Sequence, residues 1–171
     1  MKRILTAILL ATSWSAGVTQ ADTYIAIEGS RMEVANNNNN SLEPSGLRFR
    51  LGSRVSDFFD VEGHFGFTSD DENPAFEEFN SNFMGAYLKG YIPVGQRSAL
   101  FGMGGFTRVK LSQTFNDREI SDARTGFSWG FGMETQLSER VDITADYMQY
   151  LSDEGLFEDI SAINFGVKLY F

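Results

Sequence analysis

The sequence predicts an all-β fold: an eight-stranded, antiparallel, up-and-down β-barrel that crosses a membrane. Three observations lead there. The chain opens with an export-type leader, the rest divides into segments of alternating apolar and polar residues, and the last segment runs to the terminal Phe171. In that segment Ile163, Phe165, Val167, Leu169 and Phe171 alternate with Asn164, Gly166, Lys168 and Tyr170. A period of two makes one face of a strand greasy and the other wet. In a membrane barrel the greasy face meets lipid and the wet face lines the interior.

The leader comes first. Lys2 and Arg3 precede the apolar stretch Ile4 to Ala11, and Thr19-Gln20-Ala21 offers small residues where a signal peptidase reads. We expect residues 1–21 to be a signal peptide cleaved after Ala21, and residues 22–171 to form a single barrel domain. Two of the 14 basic residues leave with the leader, which takes the net charge from −9 to −11. Nucleic-acid binding needs a basic surface and is excluded on this ground. The chain has no cysteine, which removes thiol chemistry, thiolate metal sites and attachment through an N-terminal lipidated cysteine. After the leader no apolar run is long enough for a spanning helix, which needs about 18 residues. A mean hydropathy of −0.21 suits a barrel whose loops and inward positions are polar. The 16 Phe and 6 Tyr suit the aromatic girdles such barrels carry at the lipid–water boundaries.

The strands follow in order. The first lies near Tyr24 to Arg31, with Ile25 and Ile27 on one face and Ala26 and Glu28 on the other. A polar loop holding Asn36 to Asn40 leads to the second, where Leu47, Phe49, Leu51 and Val55 alternate with Arg48, Arg50, Gly52 and Arg54. The short turn Ser56-Asp57-Phe58 precedes the third, with Val61, Phe65 and Phe67 opposite Asp60, Glu62, His64 and Gly66. Residues Ser69 to Asn80, acidic and containing Pro74, read as a second long loop. The fourth strand sets Met84, Ala86, Leu88 and Ile92 against Phe83, Gly85, Tyr87, Lys89 and Tyr91, and Pro93 to Gln96 form a tight turn.

In the fifth strand Ala99, Phe101 and Met103 stand opposite Leu100, Gly102, Gly104, Phe106 and Arg108, the second set being read as inward. Ser112 to Arg124 is expected to be a third long loop. The sixth strand alternates Phe127, Trp129, Phe131 and Met133 with Ser128, Gly130, Gly132 and Glu134, and a short turn spans Gln136 to Arg140. The seventh places Val141, Ile143, Ala145 and Tyr147 against Asp142, Thr144, Asp146 and Met148; a fourth loop near Leu151 to Asp159 precedes the terminal strand. Strands of about 9–11 residues, joined alternately by long loops and short turns, match a membrane barrel.

A soluble barrel shares the alternation but is apolar inside. The composition of the two faces separates the cases. The polar face carries ions of both signs: Glu28, Arg48, Arg50, Glu62, His64, Lys89, Arg108, Glu134, Asp146 and Lys168. These are expected to pair across a narrow lumen, since buried charges are tolerated when paired and hydrogen-bonded. The apolar face carries bulky Phe49, Phe65, Phe101, Trp129, Phe131 and Phe165, too many for a small ligand cavity. The inward side chains, with Phe83, Tyr87, Phe106 and Met148 among them, are expected to fill the interior, and Gly52, Gly102, Gly130, Gly132 and Gly166 to make room for the long charged ones.

With Val109-Lys110-Leu111, Thr125 to Met133, Val141 to Tyr147 and the ending Phe165 to Phe171, the chain resembles the small OmpA/OmpX-like outer-membrane barrels, specifically the outer membrane protein β-barrel domain family of Gram-negative bacteria. The resemblance implies residence in the cell outer membrane, as a monomer in contact with outer-membrane lipid and lipopolysaccharide. It also implies that Phe165, Val167, Leu169 and Phe171 are read by the barrel-assembly machinery. The chain departs from the two-domain members of that group in stopping at Phe171, so a C-terminal peptidoglycan-binding domain is not expected. Enzymes of this architecture modify lipid A through a Ser–His pair with an orienting acid. Here the one histidine, His64, is expected to face the lumen beside Glu62, and no local Ser/His motif accompanies it.

The acidic run Asp70, Asp71, Glu72, Glu77 and Glu78 matches no calcium loop and reads as a solvated surface. No metal or cofactor is expected. The resulting expectation is a non-enzymatic structural or surface-interaction protein. A narrow channel for small or hydrophobic solutes is the first alternative, and a lipid-modifying enzyme the second.

Overall fold

The computed structural model describes residues 23–36, 41–70, 78–115, 118–151 and 157–171; the expected leader lies outside them. The strands are β1 (Thr23–Asn36), β2 (Ser41–Leu42), β3 (Ser45–Ser56), β4 (Phe59–Asp70), β5 (Glu78–Val94), β6 (Ser98–Phe115), β7 (Arg118–Ser138), β8 (Val141–Tyr150) and β9 (Phe157–Tyr170). The two-residue β2 only extends the end of β1, pairing Val34 with Leu42. The other eight form a meander in which each strand lies antiparallel to the next, and β1 pairs with β9 from Tyr24↔Tyr170 to Asn36↔Phe157. This closure leaves the wall without a free edge, as the hydrocarbon interior demands. The fold is the predicted eight-stranded antiparallel barrel.

Local chemistry sets the three short connections. Ser56 and Ser138 stand before the β3–β4 and β7–β8 turns, and each hydroxyl accepts a hydrogen bond from the backbone N–H two residues on, at 3.3 Å from Phe58 and 3.4 Å from Arg140. Serine stabilises a turn by this bond. In the β5–β6 turn Gly95 has φ of 76°, a conformation that a glycine adopts without strain. Both chain ends of the barrel lie with these turns: Phe171 N donates to Thr23 O at 3.0 Å.

Alternation sorts the side chains as the membrane requires. Phe49, Trp129 and Phe165 are 39%, 41% and 63% exposed on the outer wall, whereas Arg48 and Arg50 are buried inside. The outer band ends sharply toward the loops. Beyond Leu47, Met84, Phe106, Phe127, Tyr147 and Ile163, the next outward positions are Ser45, Asn82, Arg108, Thr125, Gln149 and Ser161.

Two expectations need correction. The strands run on past this band into the segments read as loops. The third expected loop, Ser112 to Arg124, is largely hairpin, with β6 continuing to Phe115 and β7 starting at Arg118. The others shorten too: β4 reaches Asp70, β5 starts at Glu78 and β9 starts at Phe157. The physical reason is that backbone pairing persists in water once a hairpin is registered; polarity of the side chains ends the lipid band, not the ladder. The Asn36–Asn40 tract and the acidic Asp71–Glu77 segment fall mostly outside the described residues.

The second correction concerns β6. Its two faces are partitioned as expected but turned the other way: Phe101 and Met103 are buried in the barrel, while Leu100, Gly102, Phe106 and Arg108 face out. Residues directly opposite in a ladder share a face. The register Tyr91↔Phe101, Lys89↔Met103 and Tyr87↔Gly105 therefore turns these β6 residues inward with their β5 partners. Arg108 sits opposite Met84 and Thr125, both outward, and is no part of the interior network.

Candidate functional site

The chemistry of the molecule is concentrated inside the barrel. Strict alternation sends every second residue of each strand there, and register decides which of them meet. Glu28↔Arg48 on β1 and β3, and Arg50↔His64 on β3 and β4, are direct cross-strand partners. Small residues leave the necessary room. A Cβ on Gly52 would run into the Tyr24 ring, and one on Gly166 into Glu28.

The charged side chains form a chain of alternating sign. Asp146 pairs with Arg48; Arg48 Nε lies 2.5 Å from Glu28 Oε2; Glu28 Oε1 lies 2.6 Å from Arg50 Nη2. Arg50 Nη1 reaches Glu62 Oε1 at 3.3 Å, and that oxygen is 3.3 Å from Lys89 Nζ. Lys89 and Lys168 share Glu134 Oε2, at 3.1 and 2.9 Å, and Lys168 ends the series 3.9 Å from Asp142. The chain thus leaves β8 at Asp146 and returns to it at Asp142, having touched β3, β1, β4, β5, β7 and β9. On β6 the Phe101 ring covers Lys89 Nζ, 3.9 Å from the centroid.

Neutral groups add to the coordination. Asn164 Nδ2 donates to Asp146 at 2.9 Å and Arg50 Nη2 donates to Thr144 Oγ1 at 3.2 Å. The single Tyr24 O–H is shared between Glu62 at 2.5 Å and Asp60 at 2.8 Å, and Tyr91 also donates to Asp60. Each Arg and Lys of the chain meets at least two carboxylates. This satisfies their desolvation within the barrel instead of leaving charge for a passing ion.

His64 is fully buried. Its Nε2 lies 2.7 Å from Glu62 Oε2, and its ring packs on Tyr87 with centroids 4.2 Å apart. Its described contacts include no serine hydroxyl, and the lipid-facing wall is on the other side of its strand. Among the described residues no cluster of His, Asp and Glu could hold a metal ion.

Toward the loops the ionic groups give way to an apolar cluster interspersed with the buried hydroxyls of Ser30, Thr68, Ser81 and Ser128. Met32, Phe83, Val109, Met148, Tyr150, Ile160 and Ala162 are all buried and pack together as part of the hydrophobic core. Toward the turns it opens into a polar vestibule of about 320 Å³, lined by Arg54, Arg97, Gln136, Glu139, Asp142 and Tyr170 among others.

The structure therefore places Glu28, Arg48, Arg50, Glu62, His64, Lys89, Glu134, Asp146 and Lys168 inside the barrel, and Arg108 outside. Sequence reasoning missed Asp60, Asp142, Tyr24 and Tyr91 as members. The signal was present, because all four occupy the inward phase of their strands, but tyrosine reads equally well as an interfacial residue. Phe165, Val167 and Leu169 lie on the outward row of β9, and Phe171, one residue past its end, is exposed as well.

A family model described as the outer membrane protein beta-barrel domain matches residues 4–171. No curated protein matches the sequence. Among solved structures the chain is similar to Neisserial surface protein A, at 13% identity, a TM-score of 0.74, and coverage of 87% of this chain and 97% of that one. It is also similar to Ail, the attachment invasion locus protein of Yersinia pestis, at 15% identity, a TM-score of 0.68, and coverage of 90% and 100%. A third similar structure is the N-terminal β-barrel domain of Pseudomonas aeruginosa OprF, at 14% identity, a TM-score of 0.64, and coverage of 89% and 100%. At these identities the likeness concerns the fold.

Proposed function

Because the chain belongs to the outer membrane protein beta-barrel domain family, and so resides in the outer membrane, we propose that it is a closed, non-enzymatic barrel with a structural role in the envelope, presenting its loop end as the surface for contacts. The observation that carries this reading is the ring of ion pairs from Asp146 through Arg48, Glu28, Arg50, Glu62, Lys89 and Glu134 to Lys168 and Asp142. It crosses the lumen and ties seven of the eight wall strands to one another. A conducting pore needs charges that face an aqueous path and release their ions; these face each other. The apolar layer at the loop end supports the same reading, since water entering there meets Met32, Phe83, Met148 and Ile160. An eight-stranded barrel is just wide enough for side chains to fill it. The burial of His64 against Glu62 and Tyr87, away from the lipid face, supports the non-enzymatic part.

The test is conductance in planar bilayers. The folded protein should give no discrete channel steps, and Arg50→Ala or Glu62→Ala should introduce leak by opening the ring. Steps in the unaltered protein that change on either substitution would favour a channel. A narrow path for hydrophobic solutes is the second reading, favoured by the same apolar layer; uptake of an alkane probe into protein-containing vesicles, reduced by Met148→Phe, would support it. A change in lipid A mass on expression that reverts with His64→Ala would overturn the non-enzymatic assignment.

A further inference from the structure

The orientation of β6 places two cations, Arg108 and Lys110, on the outer wall, and what surrounds them is not random. The ladder sets two adjacent rows across β3, β4, β5 and β6. One reads Phe49, Phe65, Met84, Arg108; the next, toward the loops, reads Leu47, Phe67, Asn82, Lys110. Each row is apolar on β3 and β4 and ends in a cation on β6. Between them lies an outward groove of about 410 Å³ lined by Phe49, Phe65, Phe67, Met84, Arg108 and Lys110 among others. That volume falls within the ~300–1,000 Å³ of ordinary ligand sites.

Arg108 and Lys110 have no ion-pair partner among the described residues, whereas Arg31, also outward at the loop-side border, pairs with Glu43. The two cations stand side by side on a chain whose net charge is −9. They lie where the apolar band gives way to polar positions, the depth at which lipid headgroups begin.

We propose that this groove is a binding site for a phosphate-bearing lipid of the outer leaflet. One acyl chain lies along Phe49, Phe65 and Met84, and the phosphate is held by Arg108 and Lys110, with the Asn82 amide beside them. The occupant must be a lipid because the membrane covers this wall. It must be anionic because the rim is cationic, and phosphate suits paired guanidinium and ammonium donors. The inference goes beyond the closed-barrel reading and holds whether or not the lumen conducts.

The experiment is native mass spectrometry of the full folded chain released from detergent micelles, with dipalmitoyl phosphatidic acid or dipalmitoyl phosphatidylcholine added at equal concentration. Each cation near an anionic headgroup contributes about fivefold in affinity, so a single phosphatidic acid adduct should exceed the phosphatidylcholine adduct at least about fivefold. Arg108→Gln with Lys110→Gln should erase that preference, while Arg97→Gln with Arg140→Gln, at the turn end, should leave it intact. Met84→Trp fills the groove while keeping both cations and should lower the adduct as well. It keeps the proposal testable if the double variant does not fold. Equal adducts for the two lipids, or a preference unchanged in the double variant, would overturn the site. Displacement of phosphatidic acid by millimolar inorganic phosphate would also overturn it, revealing a site for soluble anions.

Discussion

Glu62 carries more of the interior than any other single acid described. It accepts from Tyr24, Arg50 and Lys89 and pairs with His64. Removing it takes one of two carboxylates from each of the buried cations Arg50 and Lys89, which keep Glu28 and Glu134, and breaking a buried pair from one side costs about 3–5 kcal/mol. We expect Glu62→Ala to lose about that much stability, measured by urea unfolding of the protein in vesicles. Tyr24→Phe deletes one hydroxyl that serves both Glu62 and Asp60. Hydrogen bonds to charged groups are worth about 1.5–3 kcal/mol, and a loss in that range is expected in the same assay. Arg108→Ala should cost well under either, since it leaves no buried partner behind. The ionic members were largely legible beforehand, because a charge at the inward phase of a strand has nowhere else to go. Arg108 was misjudged because alternation fixes that neighbours face opposite ways and is silent on which way is in.

At the scale of the strand, depth decides cost. On β7 the outward residues run Leu137, Thr135, Met133, Phe131, Trp129, Phe127 and Thr125, so Phe131 lies mid-band and Thr125 at its edge. An arginine on the lipid face costs about 2–4 kcal/mol at the midplane and about 0–1 kcal/mol near the boundary. Phe131→Arg should therefore destabilise by the larger amount and Thr125→Arg by the smaller, read as the shift in urea midpoint at constant slope. On β9 the outward row ends at Phe171, and we expect Phe171→Ala to reduce the amount of barrel assembled in cells while leaving in-vitro refolding into vesicles nearly unchanged. Strand centres were readable from the period of two. Strand ends were not: Ser112, Gln113, Arg118 and Asp122 look like loop, yet β6 and β7 pair through all of them. Polar side chains announce water, and a hairpin can stand in water.

For the molecule as a whole, closure is the decisive event. β1 and β9 are distant in sequence but share a ladder of 13 partners, and only after they meet does an interior exist. The unheated protein in detergent should accordingly migrate differently from the heated protein on a gel, because the closed barrel resists the detergent until heat opens it. Loss of this shift in Glu62→Ala would show that the ion-pair ring contributes to closure as well as to filling.

The sequence by itself determined the barrel, its eight wall strands, its insertion in a membrane and most of its interior charges, because a lipid-facing wall imposes a residue-by-residue polarity that any single strand displays. The tertiary structure alone decided that the charges link into one ring from Asp146 round to Asp142, that β6 turns Phe101 inward and Arg108 outward, and that Arg108 and Lys110 border an apolar groove. Those are properties of register between strands, and register is set by pairing partners that no single segment contains.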